Sequence, residues 1–367
     1  MEWFEFNGVE SIASPALLLF RDRIEENLRQ MLVIAGDPQR LRPHVKTHKL
    51  APLVERQVEL GITKFKTSTI AETEMCALAG AKDILLAYPP AGPTPARLAE
   101  LIRRFPGVRF SIVADSAAAV QALNAAAQKE GVIFNVFLDL DVGMHRTGIA
   151  PGSEAAALYR AIVESSQLQA AGLHAYDGHL GEPNQATRFA QCEAAFAPVL
   201  ALRQELKAAG LSVPTLVASG SPTFAFHARF QDRELSPGTT IFWDFGYGDK
   251  FPDLPFQTAA VLLTRVVSKP GPNRVCLDLG HKAVAAENPH PRVRLLEAPE
   301  AEFVMQSEEH LVIETPHADR FAIGQILHGI PRHVCPTVAL YSEATVISGA
   351  EIAACWPITA RARRLSV

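Results

Sequence analysis

Cysteine is scarce. The 367 residues hold five, at Cys76, Cys192, Cys276, Cys335 and Cys355, and no two stand in CxxC spacing. This excludes a disulfide scaffold and points to a reducing, cytoplasmic setting. Long apolar runs are missing too: none reaches the ~18 residues a membrane-spanning helix needs. The opening Met1–Gly8 is acidic and lacks the positive start of a signal peptide. Basic charge is not in excess, with 35 Lys+Arg against 39 Asp+Glu. That excludes the basic stripe of a nucleic-acid binder. Neither GxGxxG nor GxxxxGK(S/T) occurs, so no Gly-rich turn announces a nucleotide. What remains is a chain 48% apolar and 20% charged. Such a composition supplies a large core and carries no signature of disorder. At ~150 residues per domain, it makes roughly two domains.

From Leu41 onward, short apolar runs alternate with amphipathic ones. Strands are expected at Leu41–Lys46, Lys64–Ser68, Asp83–Tyr88, Arg109–Ala114, Phe134–Asp139, Leu168–Tyr176, Thr215–Ser219 and Ser236–Asp244. Helices are expected between them at Leu50–Leu60, Ala71–Ala79, Pro95–Phe105, Ala117–Glu130, Ser153–Glu164 and Thr187–Ala209. Alternation of this kind implies parallel βαβ units. Eight such strands suit a (β/α)8 barrel, and an open doubly wound sheet is the runner-up. The run Ala16–Phe20 is a surplus strand ahead of the barrel. After about Gly246 the helical patterns stop and β-prone runs punctuated by Pro and Gly take over: Thr258–Ser268, Arg274–Leu279, Arg292–Leu296, Leu311–Glu314, Gln325–Gly329 and Val338–Ile347. The expected class is therefore α/β: a TIM-type barrel over residues 21–245, then a C-terminal all-β domain. Residues 1–20 join residues 246–367 in that second domain.

Chemistry in such a barrel sits at the C-terminal ends of the strands. Lys46 ends the first expected strand. A lysine there is either a Schiff-base former, its amine exposed by burial and neighbouring cations, or a plain surface lysine at a loop start. Ser219-Gly220-Ser221 follows the seventh strand, and Gly238-Thr239 opens the eighth. These are the places where barrels of this kind bind phosphate, and small residues with free N–H groups suit it. His333 and Cys335, two apart, would face one side of an extended segment and could bite one metal ion.

Arg42 to Lys49, RPHVKTHK, resembles the cofactor-lysine motif of the D-threonine aldolase/D-serine dehydratase family, which are fold-type III enzymes related to alanine racemase. Further resemblances follow in matching order: Ser68-Thr69 with Glu72 and Glu74, Asp139 to Gly148 (DLDVGMHRTG), Tyr176-Asp177-Gly178-His179, Ser219 to Thr223, Glu234 to Thr239, and Pro331 to Thr337 (PRHVCPT). Together they span nearly the whole chain. The resemblance implies pyridoxal 5′-phosphate on Lys46, with Arg146 at its phenolic oxygen and Tyr176 beside its ring. It implies Ser219, Gly220, Ser221, Gly238 and Thr239 around the phosphate, with Thr69 as a further contact. His179 faces the same mouth as a candidate acid or base. Arg146 has an alternative reading, as a structural partner of Asp139 or Asp141.

The same resemblance makes His333 and Cys335 ligands of a divalent metal. In this family a His-x-Asp pair accompanies aldolases using Mn²⁺ or a similar ion, and His-x-Cys accompanies Zn²⁺ dehydratases; thiolate softness favours Zn²⁺ over Mn²⁺ or Mg²⁺. The expected activity is a lyase acting on D-3-hydroxy amino acids. Dehydration of the D-serine or 3-hydroxyaspartate type is favoured over retro-aldol cleavage of the D-threonine type. An amino-acid racemase, with Tyr247 or Tyr341 as second base, is a more distant alternative. So are a non-catalytic pyridoxal phosphate carrier and a barrel that merely binds a phosphorylated metabolite. The resemblance also implies a homodimer whose β domain completes the site, with neither nucleic acid nor membrane as partner.

Overall fold

In the computed structural model residues 2–367 are described, and Met1 lies outside them. The chain divides into two compact units. One comprises Met31–Lys46, Leu50–Gly238 and Ala362–Val367; the other comprises the chain up to Gln30, Thr47–Lys49 and Thr239–Arg361.

The first unit is a parallel barrel. Its seven-stranded sheet runs in chain order through Lys64–Thr67, Asp83–Leu86, Arg109–Ala114, Phe134–Leu140, Leu168–Ala175, Thr215–Ala218 and Glu234–Leu235. Helices fill the intervals, and their ends carry the expected signals. Ser116 caps Ala117–Glu130 by accepting from Ala119 N–H, and Gly131, at φ 65°, ends it. The barrel closes through Leu41–His44, which bridges Leu235 on one side and Lys66 on the other. This segment was expected to be a regular strand through Lys46. Instead, Pro43 has no N–H for a ladder, and a 3-10 turn takes over at Val45–Thr47. Arg42 N–H and His44 N–H still donate to Leu235 and Pro237, while Pro43 accepts from Lys66. The eighth expected strand, Ser236–Asp244, does not form. The barrel's last strand is the two-residue Glu234–Leu235 just ahead of it, and after Pro237 and Gly238 the chain enters a 3-10 turn at Thr239–Ile241.

The second unit is a nine-stranded, mostly antiparallel sheet. The surplus strand Ala16–Phe20 lies inside it, antiparallel to Ala260–Gly271 and parallel to Glu343–Ser348. Leu18, Phe20, Val261, Leu263 and Ile347 bury one continuous face there with Phe6. Among the elements without a sequence expectation are the helix Arg21–Ala35 and the strands Glu302–Gln306 and Glu351–Pro357. The two strands are mostly exposed, so their apolar alternation is weak. The expected strand Val338–Ile347 begins only at Glu343, because Val334–Val338 is a short helix. No described helix is long and apolar enough to cross a membrane.

Candidate active site

The barrel interior is partly ionic, where Val, Ile and Leu usually dominate. Alternate residues of a strand share a face. On the closing segment these are Arg42 and His44, with Lys46 in the 3-10 turn that follows; on the next strand, Lys64 and Lys66. Arg42 is 1% exposed and reaches across the barrel to Asp83 and Glu234, each at 2.7 Å. Lys64 completes the group at 2.6 Å from Glu234. Two cations and two carboxylates thus cancel beneath the mouth.

Above them lies a pocket lined by His44, Lys46, Lys66, Asp139, Arg146, His174 and Tyr176, among others. Tyr176 is its hub. Lys46 Nζ stands 5.7 Å from the ring centroid, Lys66 Nζ 5.3 Å and Arg146 Cζ 5.2 Å. Arg146 has no carboxylate partner among the described residues. Asp139 Oδ1 is 2.7 Å from His174 Nδ1, and Asp141 accepts from the Gly143 and His145 N–H groups and meets the His145 ring at 2.8 Å. The structural alternative for Arg146 therefore finds no support. Burial holds His174 below the ordinary imidazole value although Asp139 opposes it. With Nδ1–H directed at Asp139, its buried Nε2 is left without a partner. Burial, then the Lys46 and Lys66 charges, hold His44 well below its ordinary value.

Glycine keeps Tyr176 in place. A Cβ on Gly178 would fall 2.0 Å from the Tyr176 hydroxyl, and one on Gly220 would sit 3.3 Å from the ring. Ser219, at φ 81°, is a non-glycine residue in the left-handed region, a strain that clusters at ligand-binding loops. The loop is anchored from below. Asp177 accepts from Gly220 N–H at 2.7 Å, the Thr223 hydroxyl at 2.7 Å and His227 Nε2 at 2.7 Å. Arg233 bonds His227 Nδ1 at 2.8 Å. Asp177, Cys192 and His227 lie close enough to suggest a metal group. Yet both imidazole nitrogens are engaged, and burial pushes the Cys192 thiol up to about 12. We read them as the buried support of the loop. Ser219 Oγ accepts from Ser236 N–H, and Ser221 Oγ from Gly238 N–H, so the two small-residue turns are stitched together.

Other sequence candidates lie elsewhere. His179 is exposed and sits over the turn at Gly143, outside the lining of the pocket. Thr69 caps the helix Ile70–Leu78 by accepting from Glu72 N–H. Thr239 belongs to the second unit, where its hydroxyl is 3.5 Å from Cys335 Sγ. Lys66, His44, Asp139 and His174 were not singled out as site residues. Their signal was present as polar residues at alternate positions of otherwise apolar strands.

In the second unit, His333 and Cys335 do not share an extended segment. His333 is the N-cap of the helix Val334–Val338, and Cys335 lies in its first turn. They nevertheless bond to each other through their side chains. Glu287 holds His333 Nδ1 at 2.6 Å, the carboxylate–histidine arrangement that orients metal-binding imidazoles. Burial lowers the His333 pKa, but Cys335 and Glu287 outweigh it and lift it to about 9. Thr47 Oγ1 lies 3.2 Å from the Cys335 sulfur. Asp244 accepts from the N–H groups of Tyr247 and Val334 and so fixes the start of that short helix. Tyr341 donates its hydroxyl to the Ala283 carbonyl, and burial raises its pKa, which ill suits a racemase base.

Residues 20–244 match the family model "Alanine racemase, N-terminal domain". The chain belongs to that family. Residues 259–347 match a second model, "Putative serine dehydratase domain". The chain is 29% identical to a D-threonine aldolase of Arthrobacter sp. over 95% of its own length and 93% of the relative's. It is 27% identical to a D-threo-3-hydroxyaspartate dehydratase of Delftia sp., over 90% and 93%. The crystal structure of a D-threonine aldolase from Filomicrobium marinum superposes with a TM-score of 0.88 at 26% identity, covering 96% of each chain. The alanine-racemase-like fold and the membership read from the motifs thus hold. This family member is an enzyme, a lyase of the aldolase and dehydratase type, on a fold whose family depends on pyridoxal phosphate.

Proposed function

We propose that the chain is a pyridoxal 5′-phosphate- and divalent-metal-dependent lyase of D-3-hydroxy amino acids. Dehydration to a 2-oxo acid and ammonia is favoured over cleavage to glycine and an aldehyde. The observation that carries this reading is the convergence of Lys46 and a carboxylate-free Arg146 on Tyr176. The pocket suits the cofactor: it offers an amine, an unpaired guanidinium, a buried imidazole nitrogen without a partner, and a ring pinned between glycines.

When bound, pyridoxal phosphate supplies an electron sink for negative charge at the substrate's Cα. Lys46 would hold the cofactor through its amine, and the same amine is placed to take the proton from the substrate's Cα. Arg146 would hold the phenolic oxygen and favour its anionic form. Tyr176 would pack against the ring, and the stitched turns of Ser219–Ser221 and Gly238 would take the phosphate. His333 and Cys335 would hold a divalent ion, which would supply a Lewis acid for the substrate's 3-hydroxyl. Two protein ligands leave coordination positions open for substrate, and the thiolate favours Zn²⁺ over Mn²⁺ or Mg²⁺. The leaning toward dehydration rests on that cysteine. A homodimer and a cytoplasmic setting complete the proposal.

The test is product analysis. Purified protein with pyridoxal phosphate is given D- and L-serine, threonine and 3-hydroxyaspartate, with Zn²⁺ or Mn²⁺ and with a chelator. The reading predicts 2-oxo acid and ammonia from a D-substrate, lost on chelation. Glycine plus aldehyde would move the assignment to an aldolase. Turnover that survives chelation would remove the metal, and interconversion of D- and L-serine would favour a racemase.

A further inference from the structure

Lys66 has no task in the account above, and its surroundings give it one. It is 2% exposed and lies one residue short of the end of the strand Lys64–Thr67. Its amine lines the pocket and stands 5.3 Å from the Tyr176 ring centroid. No carboxylate forms an ion pair with it among the described residues. The nearby acids are engaged: Asp139 with His174 and the Thr147 hydroxyl, Asp177 with His227, Thr223 and Gly220. The other charged and titratable groups around it are Arg42, His44, Lys46 and, across the ring, Arg146.

A buried ammonium without a counter-ion is costly, so such a group is either neutral or waiting for an anion. Burial, then the Lys46 charge, pull the Lys66 amine down to about 7, with Asp177 and Asp139 opposing. An anionic ligand oxygen beside it would reverse that balance and draw a proton onto the amine.

We propose that Lys66 is a second cofactor-contacting residue, which pairs with the phenolic oxygen on the side away from Arg146 and gains its proton as the cofactor enters. The inference rests on the reading of this pocket as a pyridoxal phosphate site. Phosphate is provided for by the stitched turns, so the phenolate is the anion left to meet two cations on one aromatic ring. Atoms balance simply: solvent supplies one proton, the amine becomes an ammonium, and a hydrogen bond to the phenolate forms.

Pyridoxine 5′-phosphate keeps the ring, phenol and phosphate but has no aldehyde to react with Lys46. Apo protein is titrated with it by calorimetry at pH 8 in two buffers of different ionisation enthalpy. The wild type should take up close to one proton per ligand. Lys66→Met, similar in length and uncharged, should take up close to none and bind about tenfold more weakly for each pKa unit the anion confers. Lys66→Gln guards against a folding failure of the first variant and should lose the uptake as well. Lys46→Ala removes one of the charges that hold the Lys66 amine low, so it should keep a reduced but measurable uptake. Equal uptake and affinity in wild type and Lys66→Met would overturn the role of Lys66 and leave the cofactor site standing. Uptake lost in Lys46→Ala but kept in Lys66→Met would assign the proton to Lys46 and overturn it too. No binding by the wild type would sink the cofactor reading along with the inference.

Discussion

Tyr176 gathers two amines and a guanidinium around one ring, and small residues in the backbone beside it leave the space that arrangement needs. Gly178 and Gly220 leave the space a Cβ would take, and the strained Ser219 turn is held by Asp177. Arg146 contributes nothing to this scaffold through ion pairs. Arg146→Leu should therefore leave the melting temperature nearly unchanged while shifting the absorbance maximum of the bound cofactor or its pH dependence; an unchanged spectrum would return Arg146 to a passive role. Lys66 makes the opposite prediction about stability. Its folded pKa of about 7 lies below its ordinary 10.5. Between those values the unfolded chain binds more protons, so apo protein should gain stability as pH rises from 7 toward 10. Chemical denaturation across that range should show the slope, and Lys66→Met should flatten it. Lys46, Arg146 and Tyr176 were legible from motifs. Lys66 and His174 were not, because a polar residue in a strand reads as solvent-facing until the barrel's closure turns it inward.

At the scale of elements, the barrel exchanges apolar filling for a neutralised ionic layer. Beside the backbone bridges to Leu235 and Lys66, the Arg42 side chain ties the closing segment to Asp83 and Glu234. Removing it leaves Glu234 to Lys64 alone and Asp83 to the more distant Arg109, so Arg42→Ala should cost about 3 kcal/mol. Urea unfolding would measure the loss; a change within about 0.5 kcal/mol, the range of ordinary surface substitutions, would contradict this account of the layer. Most helices and interior strands were legible because their apolar periods are strong. Arg109–Ala114, Ala117–Glu130 and Ser153–Glu164 match their expected bounds. The failures have local causes. Pro43, Pro237 and Gly238 interrupt ladders in segments apolar enough to read as strands. His333-Val334-Cys335 looks extended from its composition, yet Asp244 accepts the Val334 N–H and fixes a helix start there.

At the scale of the molecule, the order of elements carried most of the information. Eight β-prone segments separated by helices, then a β-rich remainder, led to the α/β class, a barrel followed by a sheet-rich part, before any motif was weighed. The strand Ala16–Phe20 was legible as surplus but its partners were not, since Glu343–Ser348 lies more than three hundred residues away in sequence. Which residues face a ligand was less legible than the fold, because a pocket is set by closure of the barrel, which no local pattern encodes. The central claim is that this pocket binds pyridoxal phosphate through Lys46. Borohydride reduction of the holoprotein, followed by peptide mapping, tests it most directly. The pyridoxyl group should be found on Lys46 and be absent from Lys46→Ala. Its recovery on Lys49, Lys64 or Lys66, or on no lysine at all, would contradict the claim.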